Sequence, residues 1–264
     1  MKLWKQFVLC LMLMLLSGCM QQPAETSATP TETTVMPTEM TVLPTETTAA
    51  PTETTQPLHS ELYIPGVSVE DVILYFREVV LAAEFVSGGD PAVVQKWVEP
   101  IRYSIEGPCT AEDLQVLESF RLWLNDLEGF PGMEEAADPG QANLRIRFCA
   151  GSEIPFYMGD PFQGMDGAVT FWYAENEIYD ADICYSTDVD QQTRNSVILE
   201  EIYNGLGPVQ DTGLRLDSII YSGFSVPQQL TAVDELILRL LYHPDMRCGM
   251  DGAACEELIR RLYY

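Results

Sequence analysis

Histidine is nearly absent from this chain: two residues in 264, His59 and His243. That scarcity excludes any centre built on two or three imidazoles. It also leaves His243 as the only imidazole in the folded part that a Ser-His-Asp or Cys-His arrangement could use. No G-x-S-x-G nucleophile elbow accompanies it. The glycine patterns of phosphate-binding loops, G-x-x-x-x-G-K and G-x-G-x-x-G, are missing, so nucleotide binding has no support. There are seven cysteines but no C-x-x-C pair, which excludes a thioredoxin-type redox motif and a cysteine zinc knuckle. Positive charge is scarce too. Fourteen Lys and Arg stand against forty Asp and Glu, a formal net charge of −26. A nucleic-acid binder needs a basic patch, and none is present, so no nucleic-acid partner is expected. Beyond the first 20 residues no apolar run reaches the roughly 18 residues that a membrane-spanning helix requires.

The N-terminus carries an address. Lys2 and Lys5 precede an apolar stretch from Phe7 to Leu16, followed by Leu16-Ser17-Gly18-Cys19. A basic start, a short apolar region and small residues before a cleavage point make an export signal. The Leu-Ser-Gly-Cys string resembles the lipobox of bacterial lipoproteins. That resemblance implies that Cys19 becomes the lipidated first residue, held to the membrane by its acyl chains. Each buried methylene adds about 0.8 kcal/mol. The expected location is the extracytoplasmic face of the cell membrane.

Residues 20–58 read as a tether. Four units, PTETTVM, PTEMTVL, PTETTAA and PTETTQP, begin at Pro30, Pro37, Pro44 and Pro51. The period of seven suggests a coiled coil, but a proline in each unit forbids one at about 3 kcal/mol per interior position. Threonine, proline and glutamate without aromatics build no core. The segment is expected to be a disordered spacer, its ends about 35 Å apart on average.

Residues 59–264 are long enough for one domain with a substantial core. Ser68 to Asp71 resembles a capping box opening a helix to about Phe85, and Thr110 to Asp113 caps another to about Leu127. Residues 93–98 suit a strand or a short turn. Strands are expected at 100–105, 143–149, 168–174 and 178–185, the last two joined by a turn at 175–177. Helices follow at about 191–206, 231–242 and 253–262. The expected fold class is α+β, a small mixed sheet packed on helices. Of the cysteines left after export, Cys149 with Cys184 and Cys248 with Cys255 are the favoured bridges, with Cys109 free. The aspartates at 180, 182, 188 and 190 read as caps and helix-dipole partners.

In the 191–206 helix, Ile198, Leu199, Ile202, Tyr203 and Leu206 share one face. Glu200, Glu201 and Asn204 share the other, expected to be solvated. At 100° per residue, Glu200 and Glu201 are expected to diverge too far to flank one bond. Residues 200–210, EEIYNGLGPVQ, resemble the H-E-x-x-H-x-x-G-x-x-H helix of the metzincin peptidases with its histidines replaced. Glu201 stands at the general-base glutamate and Gly207 at the turning glycine. The three zinc positions hold Glu200, Asn204 and Gln210, and Asp211 stands where an aspartate often follows the third histidine. Residues 217–221 resemble the turn below the metal, with Ile220 in the usual place of methionine. The order and spacing of residues 97–102, the strand at Asn143, and residues 200–211, 218–219 and 230–250 resemble the bacterial family labelled domain of unknown function 2927. That resemblance implies a zincin-like fold, with the helix at about 191–206 as the active-helix equivalent and the zinc site typically absent. Glu200, Asn204 and Asp211 are oxygen donors suited to calcium or manganese, but they make a thin site. No metal or other cofactor is expected.

Two functions follow as expectations. One is a non-catalytic surface module presenting a cleft, bounded by that helix and the strand near Phe171, to an envelope peptide or protein. The other is a hydrolase using Glu201 as base with an atypical metal or none. The catalytic candidates are Glu200, Glu201, Asn204 and Asp211.

Overall fold

A computed structural model describes residues 8–9, 60–81, 92–223 and 225–264. Cys19 and the tether lie outside them. So does any extension of the first helix past Leu81.

Helix α1 (Val69–Leu81) starts where Ser68 and Asp71 exchange hydrogen bonds, the Asp71 amide donating to Ser68 Oγ at 3.1 Å. Its Val72, Phe76, Val79 and Val80 are buried. After it come β2 (Lys96–Trp97), β3 (Ile101–Glu106) and α2 (Ala111–Asn125). Thr110 and Asp113 form a complete capping box at the start of α2. Strand β4 (Met133–Glu135) lies inside a stretch that the sequence reads as loop. Its main chain is clamped by the Asn125 amide, which donates to Met133 O at 2.9 Å and accepts from Met133 N at 2.7 Å. Then come β5 (Leu144–Cys149), a short helix α3 (Ile154–Met158) not foreseen from the sequence, and the hairpin β6 (Gly167–Ala174) and β7 (Glu177–Ser186). The hairpin turns at Glu175 and Asn176, both at positive φ, as a tight primed turn requires. Helices α4 (Gln191–Gly205), α5 (Ala232–Tyr242) and α6 (Gly252–Tyr263) close the chain.

The sheet runs β6-β7-β5-β3-β4, with β2 beside the first residues of β7. All pairs are parallel except β6 with β7. The architecture is therefore mixed α/β, a largely parallel sheet with six helices among the described residues, rather than the segregated α+β arrangement that the order of elements suggests. Two residues near the N-terminus, β1 (Val8–Leu9), pair antiparallel with the outer edge of β6.

Alternation in β5 separates the two sheet faces. Leu144, Ile146 and Phe148 enter the main core beside α4 and α5. Arg145 points to the other face and binds Asp180 and Asp182, each at 2.7 Å. Those two aspartates are thus ion-pair partners of a neighbouring strand. Asp190 is the N-cap of α4, accepting from Thr193 N at 3.0 Å.

The five cysteines of the described residues are free thiols. Cys149 and Cys184 lie in one small buried cluster under α3, while Cys248 and Cys255 turn to different partners. Cys248 Sγ faces Lys96 O at 3.9 Å and Cys255 Sγ faces Met246 Sδ at 3.7 Å. The bridge expected between Cys248 and Cys255 is therefore not formed, because a turn that brings two residues close in sequence does not aim their Cβ atoms at each other. Cys149 and Cys184 are neighbours on adjacent strands, but unbridged. Cys109 is free, half-buried against the core.

Candidate functional site

Helix α4 runs close under the sheet. At Gly205 a Cβ would stand 3.2 Å from Val169 and 3.7 Å from Ile183, so the helix approaches β6 and β7 at a glycine. The Trp97 indole donates to Gly205 O at 2.9 Å and Tyr242 Oη donates to Leu206 O at 2.9 Å, which ties down the helix end. At Gly207, φ is +131° and a Cβ would lie 2.5 Å from Gln95 O, so only glycine fits that turn. The chain then reaches Asp211 alongside α1, with Gln210 N donating to Val79 O at 3.3 Å.

The face of α4 expected to be solvated is enclosed. Asn204 is only 4% exposed and its Oδ1 is buried without a hydrogen-bond partner. Glu200, Glu201, Asp211 and Asp166 are half-buried. Glu201 lies against the first residue of β6: a Cβ on Gly167 would meet Val197 at 2.3 Å and Glu201 Oε1 at 2.7 Å. A helical wheel separates apolar from polar residues, but it does not show that a sheet edge and a returning turn cover the polar side as well.

Electrostatics set this groove apart. Burial, followed by repulsion from Asp211, pushes the Glu201 carboxyl up to about 8. Glu200 is also raised well above the ordinary carboxylate range, by burial first, then by Glu201, Asp211 and Asp166. Burial raises Asp166 as well. Although the two side chains diverge along the helix, both are raised by Asp211, and Glu200 by Glu201 as well. Neither glutamate has an ion-pair or hydrogen-bond partner among the described residues, so burial and repulsion favour the protonated carboxyls.

The turn that carries Asp211 is held from below. Asp234 is fully buried and accepts from Ser218 Oγ at 2.7 Å, Tyr75 Oη at 3.1 Å, Ile219 N at 3.2 Å and Thr231 N at 2.9 Å. Its carboxylate caps α5 and fixes residues 218–220 against Tyr75 of α1, while its main-chain carbonyl accepts from Tyr203 Oη of α4 at 3.0 Å. Ile220 is fully buried. A zinc ion does not fit this donor set. Among the described residues no three His, Cys, Asp or Glu side chains converge closely enough to hold a metal. His243 closes α5. Its Nδ1 accepts from Asp245 N at 3.1 Å.

On the opposite face of α4 lies an open cavity of about 770 Å³, bounded by Phe120, Trp123, Leu199 and Leu230. Its polar groups hold one another, Asn195 Nδ2 donating to Glu112 at 2.8 Å and to Gln228 at 3.3 Å. Beside it a buried ion pair, Arg194 to Asp113 at 2.8 Å, fastens α4 to α2.

The outer edge of β6 borders the acidic groove. Val8 pairs with Phe171 and Leu9 with Thr170 there. Phe171 is a core residue, whereas Trp172 and Tyr173 are half-buried across a bulge in the strand. The signal that sequence reasoning passed over is Asp166-Gly167. An aspartate followed by a glycine at a strand start is an ordinary turn pattern, and only the fold shows that Glu201 fills the space a side chain would take.

Compared with known families, residues 70–261 match the model of a protein family of unknown function, DUF2927. The chain belongs to the DUF2927 family. The match spans α1 to α6, so the acidic groove, the Asp234 network and the β6 edge all fall within the family domain. No curated protein matches the chain.

Proposed function

We propose that this DUF2927 protein is a membrane-anchored extracytoplasmic lipoprotein. Its folded part is a peptide-binding module on a degenerate zincin-like fold. It binds by accepting an extended peptide as an added strand on the edge of β6, beside Glu200, Glu201, Asp166 and Asp211. The observation that carries this reading is β1 itself, an extended segment already paired with that edge. Main-chain hydrogen bonds to an open edge supply affinity without regard to sequence, and neighbouring pockets supply selectivity. If Cys19 is processed as a lipobox cysteine, residues 1–18 depart and the edge is vacated in the mature chain.

The test has two arms. Mass spectrometry of the envelope-associated protein should find an acylated Cys19 as its first residue, and Cys19→Ala should release the protein from the membrane. Hydrogen exchange on the mature chain, residues 19–264, should show β6 amides gaining protection when an extended peptide is added. Unchanged β6 exchange across a library of extended peptides, or one equivalent of tightly bound zinc, would overturn the binding reading.

A second reading is favoured by the Glu201 carboxyl near 8. A group poised there donates a proton below that value and accepts one above it, as an acid-base hydrolase requires. A peptidase and amidase screen of wild type against Glu201→Gln decides. Equal background in both rejects it.

A further inference from the structure

We propose that the strand added to β6 carries a basic side chain, arginine or lysine, at one defined position, and that this side chain enters the groove formed by Glu200, Glu201, Asp166 and Asp211. The inference rests on the strand-addition reading above and goes beyond it by naming the ligand class as a cationic extended peptide.

The position follows from register. Val8 lies opposite Phe171 and Leu9 opposite Thr170. An extended chain continuing in that register meets Val169, Ala168 and then Gly167. Directly opposed residues of an antiparallel pair point to the same face of the sheet. Gly167 faces α4, since a Cβ there would stand 2.7 Å from Glu201 Oε1. The ligand residue opposite Gly167, third after the one in Leu9's place, therefore directs its side chain at Glu201.

The chemistry of the groove selects the charge. Glu201 lies at the point reached and Glu200 precedes it on the helix, and neither is offered a cation by the described residues. A second observation is independent of the acids. Asn204 is 4% exposed, and its Oδ1 is buried without a donor. It lies one helical turn from Glu200 and Glu201, on the face they share. A buried acceptor without a partner costs about 1–3 kcal/mol. A guanidinium brings five N–H donors and an ammonium three, enough to serve both a carboxylate and that amide oxygen. A neutral or acidic side chain leaves Glu200 and Glu201 without a cation. An acidic one adds a further like charge to a chain of net charge −26.

The experiment uses the mature chain, residues 19–264, and three fluorescein-labelled nonapeptides of alternating valine and threonine. They differ at one central residue: arginine, glutamine or glutamate. Anisotropy at low salt should show the arginine peptide binding at least about tenfold tighter than the glutamine peptide, with the glutamate peptide weakest. The preference should shrink as salt rises toward 0.5 M. In the double variant Glu200→Gln, Glu201→Gln, the arginine and glutamine peptides should bind within about twofold of each other. If wild type binds all three peptides within twofold, the charge preference is overturned and strand addition stands. If none of them binds, strand addition itself falls.

Discussion

Replacing Glu201 with glutamine should stabilise this protein, and only above mildly acidic pH. In the unfolded chain this glutamate titrates near 4.5, but in the groove it titrates at about 8. Between those values the native state holds a proton that the unfolded state has lost, so stability falls as pH rises through that window. Below about 4.5 both states are protonated and the cost disappears. The full rise corresponds to a ceiling of roughly 5 kcal/mol at 1.36 kcal/mol per pH unit. Glu201 is only half-buried, so solvent screening reduces this. About 2 kcal/mol is the expected net effect. Glutamine keeps the shape and removes the charge. For a domain of this size that is a melting temperature raised by roughly 4–8 °C at pH 8.5, against a difference near zero at pH 4. Thermal unfolding followed by circular dichroism from pH 4 to 9 reads it directly. A variant less stable than wild type at pH 8.5, or one whose advantage is the same at every pH, would refute the picture of a carboxyl strained by its surroundings.

Other outcomes follow from the same geometry. Asp234→Ala removes the α5 cap and leaves buried donors on Ser218, Tyr75 and Ile219 without their acceptor. It should cost about 3 kcal/mol or more in urea unfolding. Asp113→Ala leaves the Arg194 guanidinium buried and unpaired between α2 and α4. It should cost about 3–5 kcal/mol by the same measurement. Gly167→Ala drives a methyl into Val197 and Glu201. It should lower stability by about 1–3 kcal/mol. By pushing the Glu201 carboxylate outward it should also flatten the pH dependence of melting.

Much of this fold is legible in the sequence because its helix starts are written locally. Ser68 with Asp71, Thr110 with Asp113 and Thr231 with Asp234 lie three residues apart, and all three pairs form the reciprocal bonds their spacing suggests. The alternating LRIRFC of β5 and the Glu175-Asn176 turn are equally local signals. What escaped is non-local. Strand β4 is three residues long and exists because Asn125, eight residues earlier, clamps Met133. The parallel order of the sheet depends on crossovers that no short window contains. The candidate residues on α4 are recognisable from 200–211, but their enclosure is not. It needs Gly167 from the hairpin and Asp211 from the returning turn to meet on one side of the helix.

The cost of the groove also bears on why it persists. Elsewhere the described buried charges are compensated. Asp234 accepts at least four hydrogen bonds, Asp113 faces Arg194, and Lys96 donates to Leu241 O and Met246 O. Glu200 and Glu201 are the exception, and they stand beside an unpartnered Asn204 Oδ1. Among the described residues Ser104 Oγ, Thr170 Oγ1 and Arg215 Nε are also buried without partners, but only on α4 does such an atom stand beside two carboxyls that burial holds protonated. A metal would need nitrogen ligands or a convergent oxygen set, and neither is assembled. A cationic side chain needs only to arrive, and the open edge of β6 supplies the main-chain contacts that bring it in. By linkage, such a ligand must draw the Glu201 proton off as it binds, so the stabilisation it confers should grow as pH rises from 6 toward 8. A ligand held by the backbone alone would stabilise the chain equally across that range.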